Sequence, residues 1–529
     1  MSTGLPPPET QEACSVSLRQ LMVNEGLIPS PEDDEKRRII ILILQRIVVR
    51  WVRIIAWKRR LPQHHIDATN ATIIPYGSYG LGVHGSDSDI DALCIGPFFA
   101  TISEDFFIDL RDLLKSRTEV SEVHCVKDAK VPLIRFKFDG ILVDLPYAQL
   151  RLLSIPNVRF STTLLSYIVQ TLNGFLTASV FQNVDVLNPF FLRGIDETSW
   201  RSLSGVRANQ CILQIVPSVE LFQSLLRCVK LWAKRRGVYG NLNGFFGGVH
   251  MAILAAFVCG YNPNATLSSL VDSFFNTFAY WQWPTPVVLL RDAYAATGSP
   301  PGFMPIQLPC GGSQYCNSNV TRSTYCKIMS EFIRGHHLMK GYLKPSFNWK
   351  SLFEPYPYAT TYAWFVKIHL SASNQEGFSD WVGWVKSRFR SLLIKIEEVF
   401  GLCDPNPKEY LEACEKQPNI VFYWGLHLRN INVSDIESVE KDFLKNVNRG
   451  SFQGAVGIIK LSVVQASHLP KNVECDRSNR SKKVTRTCWR IREDKQCNNT
   501  RGYSRHLPGY VVGCEKMNNR EAGSTDVKC

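Results

Sequence analysis

Two aspartates, Asp89 and Asp91, are separated by Ile90 in SDIDALCIG, and a third, Asp144, follows in VPLIRFKFDGILVDLPYA. The first run reads as a strand, and side chains two residues apart on a strand share a face, so Asp89 and Asp91 project together. Paired carboxylates collect hard divalent cations. Upstream, Gly77-Ser78 makes a small-residue turn whose backbone N–H groups can approach a phosphate without obstruction. Asp139-Gly140 predicts a tight hairpin, since both turn positions favour positive φ. Asp144 then falls in the return strand between Val143 and Leu145, where a carboxylate is costly to bury without a cation or partner. Each feature alone has a plain reading, a solvated loop for the pair and an edge-strand residue for Asp144. Together they favour a metal site. Three such carboxylates suit two-ion phosphoryl transfer: Asp89 and Asp91 bridge both ions, and Asp144 binds the ion that activates an attacking hydroxyl and helps remove its proton. The second ion neutralises charge on a triphosphate and its departing pyrophosphate. Magnesium suits these oxygen ligands and manganese can replace it.

The elements that position this chemistry follow from patterning. In Ser218–His250 the apolar residues recur at helical spacing, and Lys234, Arg235 and Arg236 crowd the last turn before Gly237, as at a helix end. Lys230 and Lys234 lie one turn apart on one face and suit phosphate contact. Arg235 and Arg236 read equally as a solvated helix end. Tyr239 and the turn Gly247-Gly248-Val249 can stack on or clasp a base.

Tyr76-Gly77-Ser78 with Asp89-Ile90-Asp91-Ala92 resembles the nucleotidyltransferase superfamily that includes DNA polymerase beta. The resemblance sharpens with DGILVDLPYA, RCVKLWAKRRGVY, GFFGGV, YWQWPTPVVL and LFEPYPY: over residues 25 to 465 the chain resembles eukaryotic nuclear-type poly(A) polymerases, and a plant member with a short C-terminal tail. That resemblance implies template-independent addition of AMP from ATP to an RNA 3′ hydroxyl, with catalytic metal ligands Asp89, Asp91 and Asp144. It implies ATP contacts by Tyr76, Gly77, Ser78, Gly85, Ile90, Lys230, Lys234, Tyr239, Gly248 and Val249 beside the three aspartates. The implied partners are the RNA 3′ end, ATP and pre-mRNA cleavage and polyadenylation factors, with no membrane and a monomeric protein. The chain departs from the family pattern at Tyr76 (usually Phe), Gly80 (usually Arg) and Ser204 (usually Asn), and Asp87 adds a carboxylate beside the pair. A nucleotidyltransferase with another base preference, and a catalytically weak RNA-binding relative, are the alternative readings.

The 529 residues exceed one ordinary core, and 45% hydrophobic content supports packed domains. A formal charge of +13 favours a polyanionic partner such as RNA. Sixteen cysteines without a C-x-x-C pair read as reduced thiols of an intracellular protein, and no secretory signal opens the chain. Ile39–Trp57 imitates a membrane helix, but Arg46, Arg50 and Arg53 interrupt it. A soluble amphipathic helix is expected instead, with Ser30 as N-cap, Pro31 first and acids in its first turn.

The predicted organisation is multidomain α/β and α+β. A flexible N-terminus spans 1–24, a helix packing with the middle domain 25–59, and a nucleotidyltransferase catalytic domain with a mixed sheet 60–215. A helical middle domain covers 216–350, an RNA-recognition-like α+β domain 351–470, and a basic flexible tail 471–529. RSNRSKKVTR in the tail is compatible with nuclear import or phosphate contact. The nucleus is the expected location, with the cytoplasm as alternative because no long C-terminal region with a clear import signal is present.

Overall fold

Asp139 and Gly140 both adopt positive φ, 47° and 79°, and turn the chain so that Arg135 faces Asp144 across an antiparallel ladder. The computed structural model describes residues 8–155, 192–289, 302–309, 314–316, 319–344, 346–412, 415, 417–427, 434–449 and 457–470. The hairpin belongs to a mixed sheet of β1 (Thr72–Tyr76), β2 (Ile90–Gly96), β3 (Val120–Val126), β4 (Leu133–Phe138) and β5 (Ile141–Gln149). Its order is β1-β2-β5-β4-β3, with β2 and β5 parallel and the other neighbours antiparallel. Apart from Asp91, β2 is apolar because both of its faces are covered. Ala92 and Cys94 join one core, Leu93 and Ile95 another.

Two N-terminal helices, α1 (Pro8–Asn24) and α2 (Pro31–Lys58), correct the sequence reading. Residues 1–24 were expected to be flexible, yet α1 docks Leu18 and Met22 into the helical core, and Ser15 is bonded to Ser268. The helix expected to pack with the middle domain instead lies on the catalytic sheet. The α2 start is as anticipated, with the Ser30 hydroxyl accepting from the Asp33 N–H at 3.1 Å and Pro31 at the first position. Its buried stripe of Ile40, Leu44, Ile47, Val48, Trp51, Val52 and Ile55 shares a core with Ile73, Ala92, Val143 and Tyr147. Full burial of such side chains contributes about 1.5–3 kcal/mol each, well above a surface ion pair, so this stripe decides where α2 docks. Gln45 fixes the register: its amide donates to Ala71 O and its carbonyl accepts from Ile73 N–H, both at 2.8 Å. Among the described residues no single helix is long and apolar enough to cross a membrane.

The helical region begins with α3 (Glu197–Ile215), α4 (Val219–Arg235), α5 (Gly248–Tyr261), α6 (Leu267–Ala279) and α7 (Arg322–Met339). Helix α3 belongs to two cores. Leu203 and Val206 pack on the sheet, whereas Ile212 packs with Trp232 and its neighbours. The phenylalanines of the aromatic run before Pro284 are core, as its mixed spacing suggested: Phe274 and Phe275 pack edge-on against Trp232, which stacks on Phe332 with centroids 5.4 Å apart, and Phe278 packs against Phe274 and Phe332.

The C-terminal part builds a second, antiparallel sheet from β6 (Trp364–Ser371), β7 (Cys403–Asp404), β8 (Asn419–Leu426) and β9 (Ile458–Gln465), ordered β7-β8-β6-β9. Helices α8 (Phe378–Lys386), α9 (Phe389–Phe400) and α10 (Ser434–Asn448) share one core with it. A buried polar network joins this sheet to the helical region. Lys327 of α7 donates to both Asp404 oxygens, at 2.8 and 2.6 Å, and lies 4.0 Å from the Tyr356 ring centroid. Tyr358 and Tyr362 also bond Asp404. The two arginines at the end of α4 are not a solvated helix end. Arg236 is buried in a two-pronged pair with Glu331, at 2.7 and 2.8 Å, and Arg235 pairs with Glu25. Eight described cysteines are free, whereas Cys211 is disulfide-bonded, a departure from the all-thiol expectation. The basic tail after residue 470 lies outside the described residues.

Candidate active site

β1 ends at Tyr76, opposite Asp91 on β2, and the chain turns at Gly77 with φ 61°. A Cβ there would fall on the Asp91 carboxylate, so only glycine permits this approach. Gly77–Gly80 closes one helical turn, held by Leu81 N–H to Gly77 O at 3.1 Å and Val83 N–H to Ser78 O at 2.9 Å. Asn209 of α3 donates to Gly77 O at 3.1 Å and fixes the turn from behind. The departures are accommodated locally. Gly205 leaves room for the Tyr76 ring, since a Cβ would lie 2.8 Å from it. At Gly80 a Cβ would come within 2.8 Å of Pro75 O, so the close packing explains the missing side chain. Ser204 spends its hydroxyl on Arg201 O at 2.6 Å, within its own helix.

The three aspartates meet. Asp91 and Asp144 are register partners on the parallel strands β2 and β5, Asp89 immediately precedes β2, and one oxygen from each lies within 4.8 Å of the others. Arg135, one strand over on β4, grips Asp144 with two bonds of 2.7 Å. Burial, reinforced by the Asp89 and Asp144 charges, pushes the Asp91 carboxyl up to about 7. Three acidic oxygens this close, with one group driven toward its neutral form, are a donor set whose negative charge Arg135 offsets only in part, and a hard divalent cation fits it.

Lys230 comes from α4, and burial, helped by Lys234, brings its ammonium down to about 8 against the pull of Asp89 and Asp91. Tyr239 also senses Asp89 and Asp91, after burial, in the upward shift of its phenol. The Lys234 ammonium lies 5.6 Å from the Tyr239 ring centroid, and a Cβ on Gly248 would sit 3.4 Å from the Tyr239 hydroxyl. These contacts place Lys230, Lys234, Tyr239 and Gly248 on the helical side of the carboxylates, with Val249 half-exposed in the first turn of α5. His250 braces that turn: Nδ1 accepts from Gly247 N–H at 2.6 Å, which leaves Nε2 to donate to Cys316 O at 2.7 Å.

Two expected contacts are placed differently from the rest. Ile90 is fully buried in the core beneath α2, so its side chain points away from the carboxylates. Gly85 lies in a loop tied to α2, where Arg37 donates to Ser86 O at 2.6 Å and His84 meets Asp34 at 2.7 Å. Asp87 in that loop is exposed. Sequence reasoning missed Arg135, Asn209 and Arg37. Of these, Arg135 had a signal: it stands as far before the Asp139-Gly140 turn as Asp144 stands after it.

The Asp91 shift has a testable sign. The folded state holds the proton more tightly than the unfolded chain, so ionised Asp91 lowers the stability of the metal-free protein as pH rises from about 4 toward 7. Metal-free Asp91→Asn is therefore expected to exceed the parent in stability by a few kcal/mol at pH 8 at most, on the order of the shift, and by roughly a third to a half as much at pH 5. Thermal unfolding in chelator at both values checks this, and equal midpoints at pH 8 would discard the repulsion argument.

Residues 1–160 match the poly(A) polymerase nucleotidyltransferase domain and residues 221–355 the poly(A) polymerase central domain. Nuclear poly(A) polymerase 3 of Arabidopsis thaliana is 74% identical over 522 residues, covering 99% of this chain and 98% of that one. Nuclear poly(A) polymerase 4 of the same plant is 35% identical over 479 residues, 86% of this chain and 61% of that one. The poly(A) polymerase of Dictyostelium discoideum is 34% identical, covering 82% and 52%. The chain thus spans nearly all of the first relative and about half to three-fifths of the others. A solved cytoplasmic RNA terminal U-transferase superposes with a TM-score of 0.44 at 13% identity, over 66% of this chain and 99% of that one.

Proposed function

Because this chain belongs to the nuclear poly(A) polymerase family, we infer that Asp89, Asp91 and Asp144 are the ligands through which it adds AMP from ATP to the 3′ hydroxyl of RNA. It is a template-independent RNA nucleotidyltransferase that depends on divalent metal. The convergence of three carboxylates from two register-matched parallel strands, opposite a buried lysine, carries this assignment. Bound divalent ions supply Lewis-acid activation of the hydroxyl and charge neutralisation on the triphosphate. Magnesium is the proposed ion, with manganese as substitute.

Within the protein, Arg135 holds both oxygens of Asp144 and fixes its rotamer. Gly77-Ser78, steadied by Asn209, offers backbone N–H groups to phosphate. Lys230 and Lys234 bring positive charge to the triphosphate, and burial strengthens the contact that Lys230 makes. Tyr239, with Gly248 and Val249 at the start of α5, borders the base. Residues 60–215 do the chemistry with α2 as part of their core, 216–350 close over ATP, and 351–470 contact RNA. Cleavage and polyadenylation factors are the proposed partners of a monomeric enzyme, and the nucleus its proposed location, in keeping with the name of its 74% identical relative.

Incubating the purified protein with an RNA primer, each nucleoside triphosphate in turn, and either magnesium or manganese tests the reading. Extension with ATP alone supports it; equal extension with UTP would replace adenylation by broader nucleotidyl transfer. In the same assay Lys230→Ala is expected to raise the ATP concentration at half-maximal rate by about one to two decades, since a charge-assisted contact is worth about 1.5–3 kcal/mol. An unchanged ATP dependence would give Lys230 a packing role only.

A further inference from the structure

The face of α2 turned away from the sheet carries a stripe that the catalytic reading does not use. Arg46, Arg50 and Arg53 alternate with Val49, Ile54 and Trp57 around a groove of about 660 Å³, and Trp57 is 70% exposed. Ile39 and Leu42, both exposed, continue the stripe toward the start of the helix. Other basic residues on or just after α2 have partners: Lys58 pairs with Asp109 at 2.7 Å, Arg59 with Asp105 at 2.9 Å and Arg38 with Glu35, while Lys36 and Arg37 donate to the backbone carbonyls of Asp139 and Ser86. Arg46 and Arg50 have no ion-pair partner among the described residues, and Arg53 makes a long 3.5 Å contact to Thr69 O. Uncompensated guanidinium groups interleaved with exposed apolar side chains are the composition that hot spots of protein interfaces favour.

We propose that this stripe is a docking surface for a partner protein, and that the segment it takes is an acidic amphipathic one, with carboxylates for the three arginines and bulky apolar side chains for Trp57, Ile54 and Val49. From Ile39 to Trp57 the stripe is about 27 Å long at 1.5 Å per residue, the length of a five-turn helix. RNA would engage the arginines and leave Ile39, Leu42 and Ile54 uncovered, so the protein segment is the better match. The chain's own residues outside the described set do not supply the charge. Residues 156–191 contain a single acid, Asp185, against Arg159, and residues 471–529 are net basic. The stripe and the catalytic carboxylates lie on different sides of the α2 and sheet layers, so a docked segment leaves the reaction open.

The test uses the full chain and a labelled synthetic amphipathic helix with glutamates on one face and Leu and Phe on the other. Binding to the parent is expected, with affinity falling about tenfold or more in Arg50→Glu and in Trp57→Ala, as hot-spot truncation does. Arg50→Lys should retain most of it, and primer extension should be unchanged in all three. Circular dichroism melts verify folding. The proposal is overturned if the parent does not bind the peptide, or if a peptide with Gln in place of Glu binds equally. It is also overturned if the variants lose binding to labelled oligo(A) or to phosphatidylserine vesicles while peptide binding stays intact.

Discussion

Asp91→Ala is expected to leave a folded protein that extends an RNA primer at less than about a thousandth of the parent rate, since the metal-bound charge it helps hold is worth several kcal/mol in the transition state. Asp89→Ala and Asp144→Ala should fall similarly, because the three oxygens form one donor set within 4.8 Å. The replacements remove carboxylates, not core volume. Single-turnover extension with saturating ATP and magnesium or manganese measures the effect. Near-parental rates in Asp91→Ala would remove this cluster from the chemistry, and a lost unfolding transition would move the defect to folding.

The second large effect concerns Asp404. Its carboxylate takes two bonds from Lys327 and others from Tyr358 and Tyr362, all buried. Truncation to alanine would strand a buried ammonium, and breaking such a pair costs about 3–5 kcal/mol. Asp404→Ala should therefore unfold at much lower denaturant concentration than the parent. The double replacement Lys327→Met with Asp404→Leu should recover much of the loss, because neither charge is then left alone. A loss below about 1 kcal/mol in the single variant would mean that water satisfies the lysine.

The features most legible in the sequence were those set by local chemistry. The Asp139-Gly140 turn, the Ser30 cap of α2 and the apolar run of β2 each follow from a few neighbouring residues, and the structure has them. The convergence of Asp89, Asp91 and Asp144 was anticipated by strand alternation and by the hairpin. What the sequence could not say was which surface a helix would cover. The periodicity of α2 reveals a buried stripe but not its partner, and the sheet, not the helical region, receives it. Helix α1, PETQEACSVSLRQLMVN, has few apolar residues, and its anchors Leu18 and Met22 give little periodic signal. Arg236 looked like a helix-end cation because Glu331, its partner, lies far away in sequence. Arg37 and Asn209 act on backbone carbonyls, which carry no residue identity to search for.

Helix α3 has a mechanical consequence. One rigid rod is embedded in the sheet's core through Leu203 and Val206 and in the helical core through Ile212, so the two bodies cannot swing freely about it. The joint available for such a swing is the short link Val216–Ser218, where Pro217 fixes one dihedral and α3 and α4 meet at 120°. Lys230 thus lies on α4 beyond a bend whose preceding helix is anchored in both cores, which fixes where its ammonium stands relative to the carboxylates.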